Sequence, residues 1–334
     1  MQLYHHPCSL NSQKVRLALE EKGVDYTSFH VNPILGKNMD SSFFRMNTSA
    51  KLPVFKNGSH IIFDTIETIL YVLYLSFTIE ICIATTTRIV FMVLGNGFLK
   101  RTKGVLYYSD SSFFCKIFVS KTCVPIGHIS ESDTHPESRY IERIAVVSVG
   151  NDSFSNQEVI EWMQKIQQWN PKYFTLLHIP DKHRLYVSKF IRKVVIARMA
   201  ESPDLASAYH SKLREAYETE EKLKNADLVK RSTESLVQLL DEVERKLNDT
   251  TYIVGDEFTM ADATFVPVLA RLVLLGLEDE YISCRPNIAD YWGLVQQRPT
   301  YKKVIGKYFN GWRKKKTLIK TWGSLHIRNL LKRY

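Results

Sequence analysis

Cysteine is scarce in this 334-residue chain, which holds five: Cys8, Cys82, Cys115, Cys123 and Cys284. None falls in a Cys-x-x-Cys spacing, and none combines with the ten histidines at metal-ligand spacing. The pattern argues against a disulfide framework and a zinc site, and for a reducing compartment, here the cytoplasm. A leader sequence is not expected either, because the strand-forming run Gln2–His5 stands at the very start. The one long apolar run is cut by Glu80 and Arg88, short of the roughly 20 residues a membrane span needs. No repeat of fixed period is visible. Acid is missing from one region: residues 310–334 hold eight Lys or Arg and no Asp or Glu. The formal net charge of +10 is therefore mostly a property of this tail, and the body is near neutral.

What is present is a globular composition, 45% hydrophobic and 12% aromatic, with length enough for two domains. The chain opens MQLYHHPCSLNSQKVRLALEEKG. Gln2–His5 reads as a strand, Pro7–Asn11 as a polar turn, and the residues through Lys22 as a helix stopped by Gly23. A polar turn at a helix N-terminus makes a natural anion site, because the first N–H groups there are unpaired. Ser28–Val31 reads as a second strand and Asn38–Met46 as a short helix or turn. Lys51–Phe55 and His60–Phe63 flank Asn57-Gly58, a hairpin signal. Asp64-Thr65 then stands where a further helix should begin. Gly150–Asn156 reads as a polar linker, and helix follows: Gln157–Trp169, Thr175–Glu201 with a break at Pro180, and a charged run from Asp204 to Leu247. Thr259-Met260-Ala261-Asp262 forms a capping-box pattern opening an apolar helix to Leu275. Short helices are expected near Ile288–Gln297 and Tyr301–Tyr308.

The order β-α-β, short helix, β-β-α, with Ser9 in the first turn, resembles the glutathione transferases. The match is nearest to the plant class named after tetrachlorohydroquinone dehalogenase. It is carried by Ser12-Gln13-Lys14-Val15-Arg16-Leu17-Ala18-Leu19-Glu20-Glu21-Lys22-Gly23, by Phe63-Asp64-Thr65-Ile66-Glu67 and by Tyr140-Ile141-Glu142-Arg143. The resemblance covers residues 1–70 and about 140–308. It implies a thioredoxin-like domain over 1–70 and 140–149, an all-helical domain over 156–308, and a basic tail over 309–334. It further implies glutathione as co-substrate without a metal, an electrophile bound between the domains, a homodimer, and a role in detoxification.

The same resemblance supplies residue roles. Ser9 falls where the serine-type transferases keep the hydroxyl that stabilises the glutathione thiolate; the plainer reading is a helix cap. Leu52-Pro53 corresponds to a cis-proline pair whose Leu52 backbone meets the cysteinyl part of glutathione, with Lys51 near the glycyl carboxylate. Asp64 and Thr65 match the pair that grips the γ-glutamyl end, together with the N–H groups that open the next helix. Cys8 is the alternative nucleophile, as in cysteine-type relatives that form mixed disulfides. In the bacterial dehalogenases a redox cysteine precedes a Ser-x-Lys-x-Arg run, and that position here is Asn11. The class name is therefore no guide to activity. Two other readings use the same scaffold: a non-catalytic glutathione-binding carrier, and an interaction protein that presents the basic tail.

Residues 71–139 fit neither domain. Excising them joins Leu70 to Tyr140, so that Ile66, Ile69, Leu70 and Ile141 recur at helical spacing. A Leu-Tyr codon junction can supply GT and an Arg139 codon can supply AG. The reading is translated intron, a foreign insertion expected to be disordered or poorly packed and to impair the enzyme, with Asp64 and Thr65 left on a short helical stub. In the tail, Trp312, Arg313-Lys314-Lys315-Lys316, Leu318, Lys320, Trp322, Leu325 and Arg328 mix cations with interfacial residues. A peripheral contact with an anionic membrane is expected. Nucleic acid is not, since no folded nucleic-acid motif accompanies the tail.

Overall fold

The computed structural model describes residues 1–75, 153–309 and 311–331. The insertion beyond residue 75 and the expected segment 140–149 lie outside the described residues. Met1–Val72 and Gly150–Tyr334 belong to one compact unit, which contains every element described below except the last three residues described for the helix that begins at Thr65.

Four strands make the sheet among the described residues: β1 (Gln2–His5), β2 (Thr27–His30), β3 (Val54–Asn57) and β4 (His60–Ile62), in the order β2-β1-β3-β4. β1 runs parallel to β2, with Gln2 opposite Thr27, and antiparallel to β3, with Tyr4 opposite Val54. β3 and β4 form the expected hairpin, one residue along from the expected turn: Asn57 pairs with His60, and the two turn residues are Gly58 and Ser59, with Gly58 at the positive φ (61°) that its place requires. The parallel pair is joined by α1 (Leu10–Glu21), whose Val15, Leu17, Ala18 and Leu19 are buried. Two short 3-10 turns lead into α2 (Ser41–Met46). α3 covers residues 65–75 as far as described.

The helical part begins at Ser153, inside the stretch read as linker: α4 (Ser153–Gln168), α5 (Pro171–Leu177) and α6 (Asp181–Glu201). The break at Pro180 is present. The charged run that reads as one helix is two, α7 (Ala206–Leu223) and α8 (Ala226–Lys246). Asn225 causes the split: its side chain accepts the Asp227 and Leu228 N–H groups, as an N-cap does.

α9 (Met260–Leu275) is buried on nearly every side, which suits a helix apolar all round. Its start is the expected capping box. Asp262, fully buried, accepts from the Thr259 N–H (2.8 Å), the Thr259 hydroxyl (3.0 Å), the Ile253 N–H (3.1 Å) and the Tyr291 hydroxyl (3.0 Å). α10 (Pro286–Gln297) follows, and α11 (Gly311–Leu330) is the last element among the described residues.

α11 corrects part of the tail reading. Leu325 is 1% exposed and joins a core cluster with Met39, Phe44, Phe190, Val194 and Tyr209, against which Trp322 packs. Arg328 donates to the Leu35 carbonyl at 3.0 Å. Three of the residues assigned to a membrane face thus hold the tail to the fold. α3 corrects the stub. Val72 is fully buried, the Tyr71 hydroxyl accepts from Asn57 at 2.9 Å, and the Tyr71 ring meets Phe55 edge-on.

Candidate active site

Sheet register gathers the nominated residues at one end. Tyr4 faces Val54 and Phe55 faces Ile62. The chain leaving β1 at His6–Ser9, the chain entering β3 at Leu52-Pro53, and the chain leaving β4 at Asp64-Thr65 therefore emerge side by side.

Ser9 is the N-cap of α1, with extended backbone (φ −83°, ψ 118°), and its hydroxyl oxygen accepts the Ser12 N–H at 3.4 Å. Capping and thiolate stabilisation are compatible, because a hydroxyl that accepts still has its own proton to give. The first turn of α1 carries no acidic residue, so the positive end of the helix is not neutralised locally. Ser9 is partly exposed. The turn itself is tied by Ser9 N–H to the His6 carbonyl (3.0 Å) and by the Gln13 side chain to the Pro7 carbonyl (2.7 Å).

Cys8 sits in the same turn as a thiol pushed up in pKa by burial, with Arg271 working in the opposite direction. Its N–H donates to His6 Nδ1 at 3.2 Å. Burial holds His6 down to about 4 and His5 down to about 3, so both rings are neutral at ordinary pH. Neither is a cationic partner that would activate the cysteine.

Leu52 precedes a cis peptide bond to Pro53. The loop before it is pinned by two side chains: Asn38 donates to the Ala50 carbonyl at 2.9 Å and Asn47 to the Lys51 carbonyl at 3.0 Å. Ala50 is held there at φ 53°, a conformation that costs a non-glycine residue about 1 kcal/mol. Lys51 is exposed.

Asp64 and Thr65 adjoin this loop, but with a different division of labour from the expected one. Asp64 Oδ1 accepts the Ile66 N–H at 2.8 Å and the Glu67 N–H at 2.9 Å, capping α3. These are the N–H groups that the resemblance assigns to the γ-glutamyl end. Asp64 itself is exposed, whereas Thr65 is only 2% exposed.

Three features of the site have no counterpart among the residues nominated from sequence. Lys14 is buried beneath the site, where its Nζ donates to Gln167 Oε1 at 2.7 Å. Burial brings its pKa down to about 7, against the pull of Asp64. Arg271 of α9 reaches the turn, donating to the Cys8 carbonyl at 2.6 Å and to Thr175 Oγ1 at 3.4 Å. Its signal is legible: a single cation inside an apolar helix. Last, a cavity of about 830 Å³ opens beside Lys51, walled by Leu176, Ile191, Val195, Trp322 and Leu325 and edged by Arg184 and Glu215. It lies one residue along α5 from Thr175.

The family model "Glutathione S-transferase, N-terminal domain" matches residues 1–73, and "Glutathione S-transferase, C-terminal domain" matches 226–291. The chain is 54% identical over 335 residues to the Arabidopsis thaliana protein named glutathione S-transferase TCHQD, covering 100% of each. It is 22% identical to the tetrachloro-p-hydroquinone reductive dehalogenase of Sphingobium chlorophenolicum, covering 90% of this chain and 93% of that one. Among solved structures, Gtt2 of Saccharomyces cerevisiae superposes with a TM-score of 0.49 at 14% identity, covering 91% and 100%. The chain belongs to the glutathione S-transferase family. Its fold is that family's: a thioredoxin-like domain with a small sheet, then a helical domain.

Proposed function

We propose that this protein joins the glutathione thiolate to electrophilic small molecules, with Ser9 holding the thiolate. The observation that carries this reading is Ser9 itself, a partly exposed N-cap on a helix with no acid in its first turn. Leu52, Lys51 and Asp64 stand at the same end of the sheet, where the tripeptide's cysteinyl, glycyl and γ-glutamyl parts would lie. Thr65 is given a supporting role under α3, because so little of it is exposed. In the reaction the thiol proton leaves to solvent, sulfur's electron pair forms the C–S bond, and the leaving group departs with the pair it shared with carbon. The 830 Å³ cavity, largely apolar in its walls, is the proposed electrophile site. Two copies are proposed to pair, as the family usually does.

Cys8 is the weaker nucleophile. Its thiol is shifted towards the neutral form, and a reactive cysteine needs the reverse.

The proposed translated-intron origin of 71–139 gains support from α3. Excision would set Tyr140 in the place of Tyr71 and Ile141 in that of Val72. A tyrosine would again face Asn57 and Phe55, and a β-branched apolar residue would again fill the buried position.

Glutathione binding by calorimetry and turnover of chloro-dinitrobenzene, measured on the full chain and on its 71–139 deletion, test both proposals. The deletion should bind and turn over, about tenfold or more better than the full chain, a difference near 1.4 kcal/mol. Binding without turnover in either form supports the carrier reading instead, and no binding in either removes glutathione. Equal behaviour of the two forms, or a deletion that does not fold, makes the segment an integral part.

A further inference from the structure

α9 contains two charged residues, Asp262 and Arg271, in an otherwise apolar sequence. Asp262 has four donors and a capping role. Arg271 is placed differently: its hydrogen bonds run to the Cys8 carbonyl at 2.6 Å and Thr175 Oγ1 at 3.4 Å, both neutral acceptors. Among the described residues, no carboxylate pairs with it. A guanidinium has five N–H donors, and removing it from water without a counter-ion is costly. Arg271 remains partly exposed, and the carbonyl it reaches belongs to the residue that precedes Ser9.

The neighbouring ionisable groups are occupied elsewhere. On α1, Lys14 donates to Gln167, Arg16 to Tyr26 and the Val304 carbonyl, while Glu20 and Glu21 pair with Lys303 and Arg298. On α4, Glu158 pairs with Lys246 and Lys165 with Glu242, and Glu161 accepts from Gln157. On α5, Lys172 pairs with Glu215, and the His178 ring bonds the Phe174 carbonyl. His5 and His6 in the turn are neutral, and Asp64 caps α3 near Lys14.

We infer that Arg271 is the counter-charge of the glutathione thiolate: the helical domain sends one cation through an apolar helix to the turn where Ser9 and the α1 N-terminus meet the sulfur. This rests on the glutathione reading above. Arg271 stays protonated throughout; the S–H bond breaks, the proton goes to solvent, and the guanidinium and hydroxyl stabilise the charge left on sulfur. An opposite charge within about 4–6 Å depresses a pKa by about 1 to 3 units.

The test uses the full chain and R271Q, R271K and T175V. Cys8 is first used as a probe of the turn, because it needs no ligand: its alkylation by iodoacetamide is followed against pH on its own peptide by mass spectrometry. R271Q should move the midpoint up by about one unit or more, while R271K and T175V leave it within about half a unit. The thiolate absorbance of bound glutathione near 240 nm should show the same upward shift in R271Q. Affinity for S-methylglutathione, which has no thiol to ionise, should change less than about threefold. Unmoved pH profiles for both sulfurs overturn the inference. So does an R271Q chain that loses S-methylglutathione without a pH shift, since Arg271 would then only position the turn. If Cys8 shifts but the wild type and the 71–139 deletion bind no glutathione, the functional reading fails, and the thiolate role with it. Should R271Q not fold, R271K decides: a displaced Cys8 midpoint there overturns the role of charge.

Discussion

Lys14 and Ser9 are five residues apart in sequence, yet opposite in how they meet the site. Ser9 is legible because a hydroxyl in a strand-to-helix turn carries chemistry at that position. Lys14 enters the sequence reading only as part of a motif, since nothing in a sequence says that a lysine on α1 is 2% exposed. Its depressed pKa has a thermodynamic consequence. Between about pH 7, its folded value, and its ordinary 10.5, the unfolded chain binds the proton that the folded chain releases. Stability should therefore rise with pH across that window, at up to about 1.4 kcal/mol per unit from this group. Lys14→Met should remove that part of the slope in urea titrations run from pH 7 to 10; an unchanged slope contradicts the assignment. His6 acts in the same sense at lower pH. Neutral when folded, it should cost stability as pH falls from about 6.5 towards 4, and His6→Gln should flatten that decline.

At the scale of elements, periodicity and caps carry most of the fold. β1, the hairpin at Gly58, the Pro180 break and the Thr259–Asp262 box all follow from residue types with a single strong preference. The misses have equally local causes. Asn225 ends one helix and starts another with its own side chain, but inside a charged helical run an asparagine has no distinct signal. Asp64 and Thr65 fall where a helix start is expected, and two of the N–H groups of α3, those of Ile66 and Glu67, are capped by the Asp64 carboxylate, which a sequence does not announce. Arg271 stands out locally as the one cation of an apolar helix, but its meeting with the first turn, like the cavity wall, depends on packing between elements far apart in sequence, which no local pattern encodes. Gly36 is another such case. It has φ 70°, and a Cβ there would lie 2.7 Å from Val194 Cγ1 in the core that joins α6 to the first domain. Gly36→Ala should destabilise by roughly 2–4 kcal/mol, from the left-handed backbone and the overpacked contact together. A denaturation midpoint equal to wild type would mean that the loop moves away freely.

For the whole molecule, the tail is the largest revision. Sequence alone offers a basic segment with interfacial side chains, and the three-dimensional fold divides that segment into two faces. Trp322, Leu325 and Arg328 hold α11 to the body, and the first two also wall the cavity. The opposite face leaves Ile319 (67% exposed), Ile327 (58%), Leu330 (81%) and Leu331 (58%) outward, with Lys316 and Lys320 exposed beside them. The proposed membrane contact moves to this face. Full-length protein should float with anionic vesicles, less with neutral ones, and an I319E/I327E double variant should lose the binding while keeping its thermal stability. Equal recovery on both vesicle types, or no loss in the double variant, removes the proposal. The chemistry itself is assigned to the first turn, to Ser9 and not to Cys8. Comparing wild type, S9A and C8A for kcat with chloro-dinitrobenzene and for glutathione Kd, in the 71–139 deletion, tests that assignment most directly. S9A should lose roughly 100-fold in kcat, as removal of one charge-stabilising donor does, with little change in Kd, while C8A stays close to wild type. Full activity in S9A together with its loss in C8A would contradict it and give the thiol the leading role.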